Sequence, residues 1–313
     1  MKYVKPLRAV NLADTDRGKM IIKEAARDPD KILFIHGLKE HLYKNGFETI
    51  DRYLLTGCEL PFAIIENRIF VMERYIDGRE CSFTNPFDRE NAVYALGSLH
   101  CAGRGYSPVT GAAKRDNLGK WKNDTLKKIN YLIRTESVIR EKRKKDSFDK
   151  AFLKDVKFAV YMAWRSFDTL NGSDYEGICE RAERDKVICH HDYTYHNILL
   201  TENDDVNVID FDYSCHELPI YDLACFIMKI MKRHSYDIDM ALRLIDIYSH
   251  RTPITKDDMM LMLSIFEFPQ RFWRICDRYY GKKTDWSHKV FREKYNDITT
   301  GKRFILDFTE AFR

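Results

Sequence analysis

The sequence carries almost no excess of charge of either sign: 52 Lys and Arg residues face 48 Asp and Glu residues, leaving +4 over 313 positions. A balance so close to neutral gives no ground for a nucleic-acid or membrane partner and leaves small-molecule chemistry open. No apolar run is long enough to span a bilayer. The N-terminal stretch MKYVKPLRAVNL lacks an apolar core followed by a small-residue cleavage site, so no secretory leader is expected. The eight cysteines form no Cys-x-x-Cys pair and no Cys/His ligand spacing. That pattern argues against a structural zinc and for reduced thiols inside a cell. Internal repeats and low-complexity tails are also absent. What is present is an ordinary folded composition, 44% hydrophobic, in a chain long enough for one large or two closely apposed domains.

Strands around a single helix are expected first. Short runs at Arg8–Leu12 and Lys19–Lys23 flank the turn residues of Asp14–Gly18. A helix opens at Pro29-Asp30, is carried by Ile32, Ile35, Leu38 and Leu42, and stops at Asn45-Gly46. Runs at 61–65 and 68–72 flank Glu66-Asn67, an acceptable hairpin turn. After Tyr75-Ile-Asp-Gly78 the pattern turns helical, beginning with Arg89–Cys101, where Val93, Leu96 and His100 share a face. A lobe boundary is therefore placed near Ile76. The basic cluster Arg140–Lys145 has no interleaved aromatics and reads as a solvated helix face in preference to an RNA-binding patch. A helix with Val156, Val160 and Trp164 leads to a compact β segment over Lys186–Tyr213. Helices follow, one capped by Thr255 with Asp258 three positions on and ended or kinked by Pro269.

The stretch Val187-Ile-Cys-His-His-Asp-Tyr-Thr-Tyr-His-Asn-Ile-Leu-Leu200, followed by Val206-Asn-Val-Ile-Asp-Phe-Asp212, carries the chemistry. Apolar runs at 198–200 and 206–209, on either side of the polar Thr201–Asp205, read as a β-hairpin. If the hairpin is symmetric about Asn203-Asp204, Ile198 pairs with Ile209 and Asn197 meets Asp210 at the open end. An amide oxygen and a carboxylate suit Mg²⁺, which keeps several waters and takes one or two protein carboxylates beside substrate phosphates. Asp192 stands in a loop after the strand Val187–Cys189, placed to approach from the acceptor side. A carboxylate there can orient a hydroxyl and take its proton. Each piece alone is weak, because most carboxylates are simply solvated. The combination in a strand, loop and hairpin is far more specific.

His190-x-Asp192-x4-Asn197, Ile209-Asp210-Phe-Asp212 and Tyr221-Asp222-Leu-Ala224 resemble the signature of the aminoglycoside phosphotransferase and choline kinase superfamily. Within it, His191–Leu199, Phe34-Ile-His-Gly37, Gly119-Lys-Trp121 and Tyr75-Ile-Asp-Gly-Arg79 are most similar to CotS-type spore coat proteins, over nearly the whole chain. The resemblance implies an α+β, protein-kinase-like fold of two lobes. A small β-rich N-terminal lobe over 1–76 would bind nucleotide, and a large helical C-terminal lobe over 77–313 would hold the catalytic loop and metal site. Asp192 would be the catalytic-loop aspartate, His190 would fix that loop, Asn197 and Asp210 would be the Mg²⁺ ligands, and Asp222 would brace the loop through its backbone amides. Lys23 resembles the lysine that holds the nucleotide phosphates, and Glu40 its ion-pair partner. Met72, Glu73, Arg74 and Tyr75 fall, by order along the chain, where backbone groups would meet adenine.

The chain departs from the superfamily in two places. No Gly-x-Gly-x-x-Gly lies between the first two strands, where Asp14 and Asp16 would repel phosphate. His191 stands where the superfamily often has glycine, giving a bulkier loop that bears on acceptor access. His196 and Tyr195 are read as packing residues, since Asp192 already fills the base role. The implied activity is ATP- and Mg²⁺-dependent transfer of the γ-phosphate to a hydroxyl of an unidentified small molecule. The alternative is a spore coat structural or assembly protein that uses the same fold. Asp212, with Glu217, is a candidate contact for a cationic acceptor. The implied location is the mother-cell cytoplasm with deposition in the coat, where other coat proteins would be partners.

Overall fold

The computed structural model describes residues 3–7, 10–25 and 28–313, with side chains from residue 10 onward. Arg8 and Ala9 of the first expected strand lie outside the described residues. The chain opens with β1 (Tyr3–Leu7), β2 (Val10–Thr15), β3 (Gly18–Ala25), helix α1 (Pro29–Lys44), β4 (Ala63–Ile65) and β5 (Arg68–Arg74). The five strands form one sheet in the order β1-β2-β3-β5-β4, antiparallel throughout. Sequence reading missed β1, whose Pro6 is tolerated because the strand lies at the sheet edge.

Local chemistry explains the connections. Thr15 pairs with Gly18, so β2 and β3 are joined by a two-residue turn, Asp16-Arg17, with the Thr15 hydroxyl donating to the Gly18 carbonyl at 2.7 Å. Glu66 and Asn67 both have positive φ (50° and 61°), the geometry whose twist matches the flanking strands β4 and β5. Asp28 caps α1 by accepting from the Lys31 amide at 3.0 Å, and Gly46 ends it with φ +85°.

A second, three-stranded sheet of β6 (Arg79–Glu80), β7 (Ile198–Leu200) and β8 (Val206–Val208) has the order β6-β7-β8. Gly78 precedes β6 of necessity, since a Cβ there would sit 2.9 Å from the Leu200 carbonyl oxygen. The remaining helices are α2 (Pro86–Gly103), α3 (Trp121–Glu141), α4 (Ser147–Asn171), α5 (Tyr175–Asp185), α6 (Pro219–Met231), α7 (Ile238–Ser249), α8 (Lys256–Glu267), α9 (Gln270–Tyr280), α10 (His288–Thr299) and α11 (Lys302–Phe312). Reciprocal capping boxes, Asp146 with Asp149 and Thr255 with Asp258, open α4 and α8. The second of these is the one expected from sequence. Among the described residues no helix is long and apolar enough to cross a membrane.

The chain divides into two compact units. The first runs to Asn117 and includes Arg181–Phe226 and Leu244–Pro253, and the second comprises Leu118–Glu180, Ile227–Arg243 and Ile254–Arg313. The boundary placed near Ile76 falls inside the first unit, which holds every strand among the described residues. In the second unit, Leu132, Phe148, Phe152, Val156, Phe272 and Tyr295 belong to one apolar core. Three of the five basic residues of the cluster are engaged there: Arg140 pairs with Glu136, Lys142 with the buried Asp149, and Lys145 with the carbonyls of Arg140 and Lys142.

Candidate active site

The segment that follows Ile188 is held by its backbone. Cys189 and Cys215 exchange amide–carbonyl bonds of 2.9 and 3.1 Å, and the chain then turns through His190 and His191. Their amides donate to the two oxygens of Asp222, at 2.6 and 2.9 Å, from the first turn of α6. Asp222 also receives His100 Nε2–H at 3.3 Å, and the other nitrogen of His100 accepts the Tyr248 hydroxyl at 2.7 Å. Burial alone would raise the Asp222 carboxyl, but the His100 hydrogen bond and the imidazoles of His100, His191 and His190 outweigh it and hold the group at about 2. His191 adopts φ 69°, the left-handed region that glycine enters freely, and its ring stacks on Tyr221 at 4.5 Å and 17°.

His190 is fully buried and joins the loop to the second arm of the hairpin. Its Nε2–H donates to the Ile209 carbonyl at 3.0 Å, while Nδ1 accepts the Asp192 amide at 3.3 Å. That pairing requires the neutral ring, and burial pushes the imidazole pKa below its ordinary value in the same direction.

The hairpin register differs by one residue from the symmetric reading. Ile198 pairs with Val208, Leu199 with Asn207 and Leu200 with Val206, centring the loop on Asn203. The cause lies in the turn: the Asp204 amide bonds to the Thr201 carbonyl at 3.0 Å, and Asp204 then takes φ 62°, absorbing an odd residue. Asn197 consequently opposes Ile209, whose amide donates to the Asn197 carbonyl at 3.0 Å. Asp210 lies one step beyond, turned by its own left-handed conformation (φ 64°, ψ 67°). The Asn197 side-chain amide donates to the carbonyl and to Oδ2 of Asp192, at 3.0 and 3.2 Å. Asp192, Asn197 and Ile209-Asp210 are thus tied into one network.

Lys23 on β3 reaches the same place. Its ammonium lies 2.8 Å from Asp210 Oδ1 and 2.8 Å from Asp212 Oδ2. Burial works to lower the Lys23 pKa, but the Asp212 and Asp210 carboxylates outweigh it and raise it, while Lys23 in turn holds Asp210 below the usual carboxylate range against burial. The expected Lys23–Glu40 pair is not formed: Glu40 instead makes two hydrogen bonds with Arg52, at 2.8 and 2.6 Å. Asp212 faces Lys23, so its carboxylate is engaged internally, and Glu217 is buried and bonds the Leu218 amide at 2.8 Å.

Of the four residues placed at the adenine position, the Met72 carbonyl accepts the Leu54 amide at 2.7 Å, and the Tyr75 amide donates to the Lys19 carbonyl at 3.2 Å. Arg74 ends β5, pairing with Met20. The Glu73 side chain is turned into the interior, where it meets a residue sequence reading overlooked. Lys39, fully buried on α1, donates to Glu73 Oε1 at 2.9 Å and to the Asp51 carbonyl at 2.6 Å. Its ammonium is also 2.9 Å from Asp51 Oδ1, a charge contact without hydrogen-bond alignment. Burial first, and the repulsion of Asp51 second, push the Glu73 carboxyl upward, because two buried carboxylates share one ammonium. A signal was present: Lys39 stands at helical spacing from Ile35 and Leu42, on the face that α1 buries.

A family model described as "Spore coat putative kinase YutH" matches residues 8–312. The chain belongs to this YutH spore coat family. Spore coat protein S of Bacillus subtilis (strain 168) is 24% identical over 298 residues, covering 95% of this chain and 83% of that protein. Among solved structures, an aminoglycoside phosphotransferase from Alicyclobacillus acidocaldarius superposes with a TM-score of 0.86 at 18% identity, covering 100% of this chain and 91% of that one. AMP-bound spectinomycin phosphotransferase APH(9)-Ia gives a TM-score of 0.68 at 14% identity, with 99% and 93% covered. At these identities the structural likeness establishes the aminoglycoside phosphotransferase fold: a small antiparallel N-terminal sheet followed by a mostly helical remainder.

The donor set near Asp210 in this YutH family member fits a hard divalent cation. Asp210 supplies a carboxylate, and Asn197 turns its NH2 toward Asp192, leaving the amide oxygen as the group available to a metal. His100, Cys189 and Asp222 also bring three ligand-type atoms within 4.8 Å of one another. There both Asp222 oxygens already accept amides, and burial raises the Cys189 thiol well above its ordinary pKa, so the cluster is a hydrogen-bonded brace.

Proposed function

We propose that this protein is an ATP- and Mg²⁺-dependent phosphotransferase acting on a hydroxylated small molecule. The observation that carries the reading is the single network joining Asp192, Asn197 and Asp210, with Lys23 bonded to Asp210. Asp192 orients the acceptor hydroxyl and takes its proton as the oxygen attacks the γ-phosphorus. The bond to the bridging oxygen breaks and ADP departs. Lys23 transfers its donors from Asp210 and Asp212 to the phosphates. Asn197 and Asp210 would hold Mg²⁺, which neutralises phosphate charge when bound. His190 and Asp222 fix the loop and do not touch the reacting atoms. In this reading the segment 72–75 lies beside adenine by its place along the chain.

ATP with Mg²⁺ should raise the melting temperature by binding the folded state, and Asp210→Ala should remove most of that rise. The absence of any rise at millimolar ATP in the unaltered protein would contradict the site.

One observation favours a second reading, in which the fold serves coat assembly and catalysis is weak or lost. The β2–β3 connection is a two-residue turn bearing Asp16 and Arg17, with no glycine-rich backbone to cradle phosphate. Membership of a spore coat family suits both readings, and both place the protein in the mother cell, with deposition in the coat beside other coat proteins.

A further inference from the structure

The side chains of Lys39, Asp51 and Glu73 take no part in the chemistry proposed above, yet all three are charged and more than nine-tenths buried, at 0%, 4% and 8% exposure. A buried ion cluster costs desolvation on every member and is weak evidence for stability as such. Its geometry points elsewhere. The Lys39 ammonium is gripped by the Asp51 carbonyl at 2.6 Å and Glu73 Oε1 at 2.9 Å, and it lies 4.1 Å from the centroid of the Tyr53 ring. One oxygen of Asp51 faces that ammonium at 2.9 Å, and the other, Oδ2, accepts the main-chain amide of Asp210 at 2.9 Å. Asp210 is a non-glycine residue at φ 64° and ψ 67°, a conformation that persists only where the surroundings hold it.

We infer that Lys39, Asp51 and Glu73 are positioning residues: the Asp51 carboxylate, anchored to α1 by the Lys39 ammonium that Glu73 also holds in place, keeps the Asp210 amide in the left-handed turn that presents its carboxylate to Lys23. The helix is thereby coupled to the site through the Asp210 backbone, and not through Lys23, whose expected partner Glu40 is bonded to Arg52. That the carboxylate so placed also serves a metal rests on the proposed function. The positioning does not.

The two claims separate in one set of measurements on the full chain, without nucleotide. Asp51→Ala leaves Lys39 paired with Glu73, one cation with one anion, so the fold has no new unpaired charge. Amide hydrogen exchange at Asp210 should speed up roughly tenfold, the effect of one lost hydrogen bond, while amides of α4 and α8 stay protected. Asp51→Asn keeps an acceptor oxygen and should restore most of the protection. Should Asp51→Ala fail to fold, Asp51→Val fills more of the space without a charge, leaves Lys39 paired with Glu73 and should loosen the same amide. Unchanged exchange at Asp210 in a folded variant, or a uniform loss over the whole chain, overturns the inference. Mn²⁺ affinity, read by water-proton relaxation, provides the second arm. Selective loosening with weaker Mn²⁺ binding supports both positioning and the metal role. Selective loosening in a protein that never binds Mn²⁺ supports the positioning and removes the metal reading.

Discussion

At the scale of single residues, His191 shows a local cost offset by a local contact. Its φ of 69° disfavours any side chain with a Cβ, while its ring gains a stacked partner in Tyr221. His191→Ala keeps the backbone cost and loses the stacking, whereas His191→Gly loses the stacking but relieves the backbone. The alanine variant should therefore be the less stable of the two by about 1 kcal/mol in urea titration, and equal stabilities would mean the backbone is not strained there. Asp192, Asn197, Asp210 and Asp222 were legible because motif spacing fixes them within one short segment. The partners of Lys23 and Glu40 were not, because they depend on which way long side chains turn after strands and helix have met: Lys23 finds Asp210 and Asp212, 187 residues away in the first case, and Glu40 finds Arg52. Lys39 was readable in principle, since a lysine on the apolar stripe of a helix must find an anion or remain buried unpaired.

At the scale of elements, most helices and the first hairpins could be read from caps and turn residues: Pro29-Asp30 and Asn45-Gly46 bound α1, and Glu66-Asn67 closes β4 onto β5. What the pattern left undetermined was register. A slip of one residue moves each side chain to the opposite face, and only the φ of Asp204 decides between the two registers of β7 and β8. The two-residue strand β6 was likewise invisible, having no period of its own, and it exists because Gly78 allows close approach to Leu200. Packing beneath the loop that carries Asp192 is equally strict. A Cβ at Gly103 on α2 would collide with the side chain of Ile188, itself fully buried in the segment that leads to His190. Gly103→Ala should therefore destabilise by about 1–3 kcal/mol through overpacking despite alanine's better helix propensity. A thermal melt at or above that of the unaltered protein would show that Ile188 yields freely.

At the scale of the whole molecule, the brace around Asp222 links stability to pH. Its folded carboxyl, at about 2, lies below the ordinary carboxylate value, so the unfolded chain binds the proton more readily. The contribution is complete above pH ~4 and is lost as pH falls toward 2, amounting to about 2 kcal/mol. The stability advantage of the unaltered protein over Asp222→Asn should shrink across that window, and a difference independent of pH would contradict the assignment. The same brace aligns the loop carrying Asp192, and there the account is most exposed to test. The direct measurement is phosphate release from γ-labelled ATP with Mg²⁺, comparing the unaltered protein with Asp192→Asn at equal nucleotide saturation. The account predicts a slow release in the unaltered protein that falls by roughly 10²–10⁴-fold on loss of the proton acceptor. Equal rates above the no-protein control would contradict the role given to Asp192. No release from either protein, and no transfer to amino alcohols, sugars or aminoglycosides, would leave the coat-assembly reading in its place.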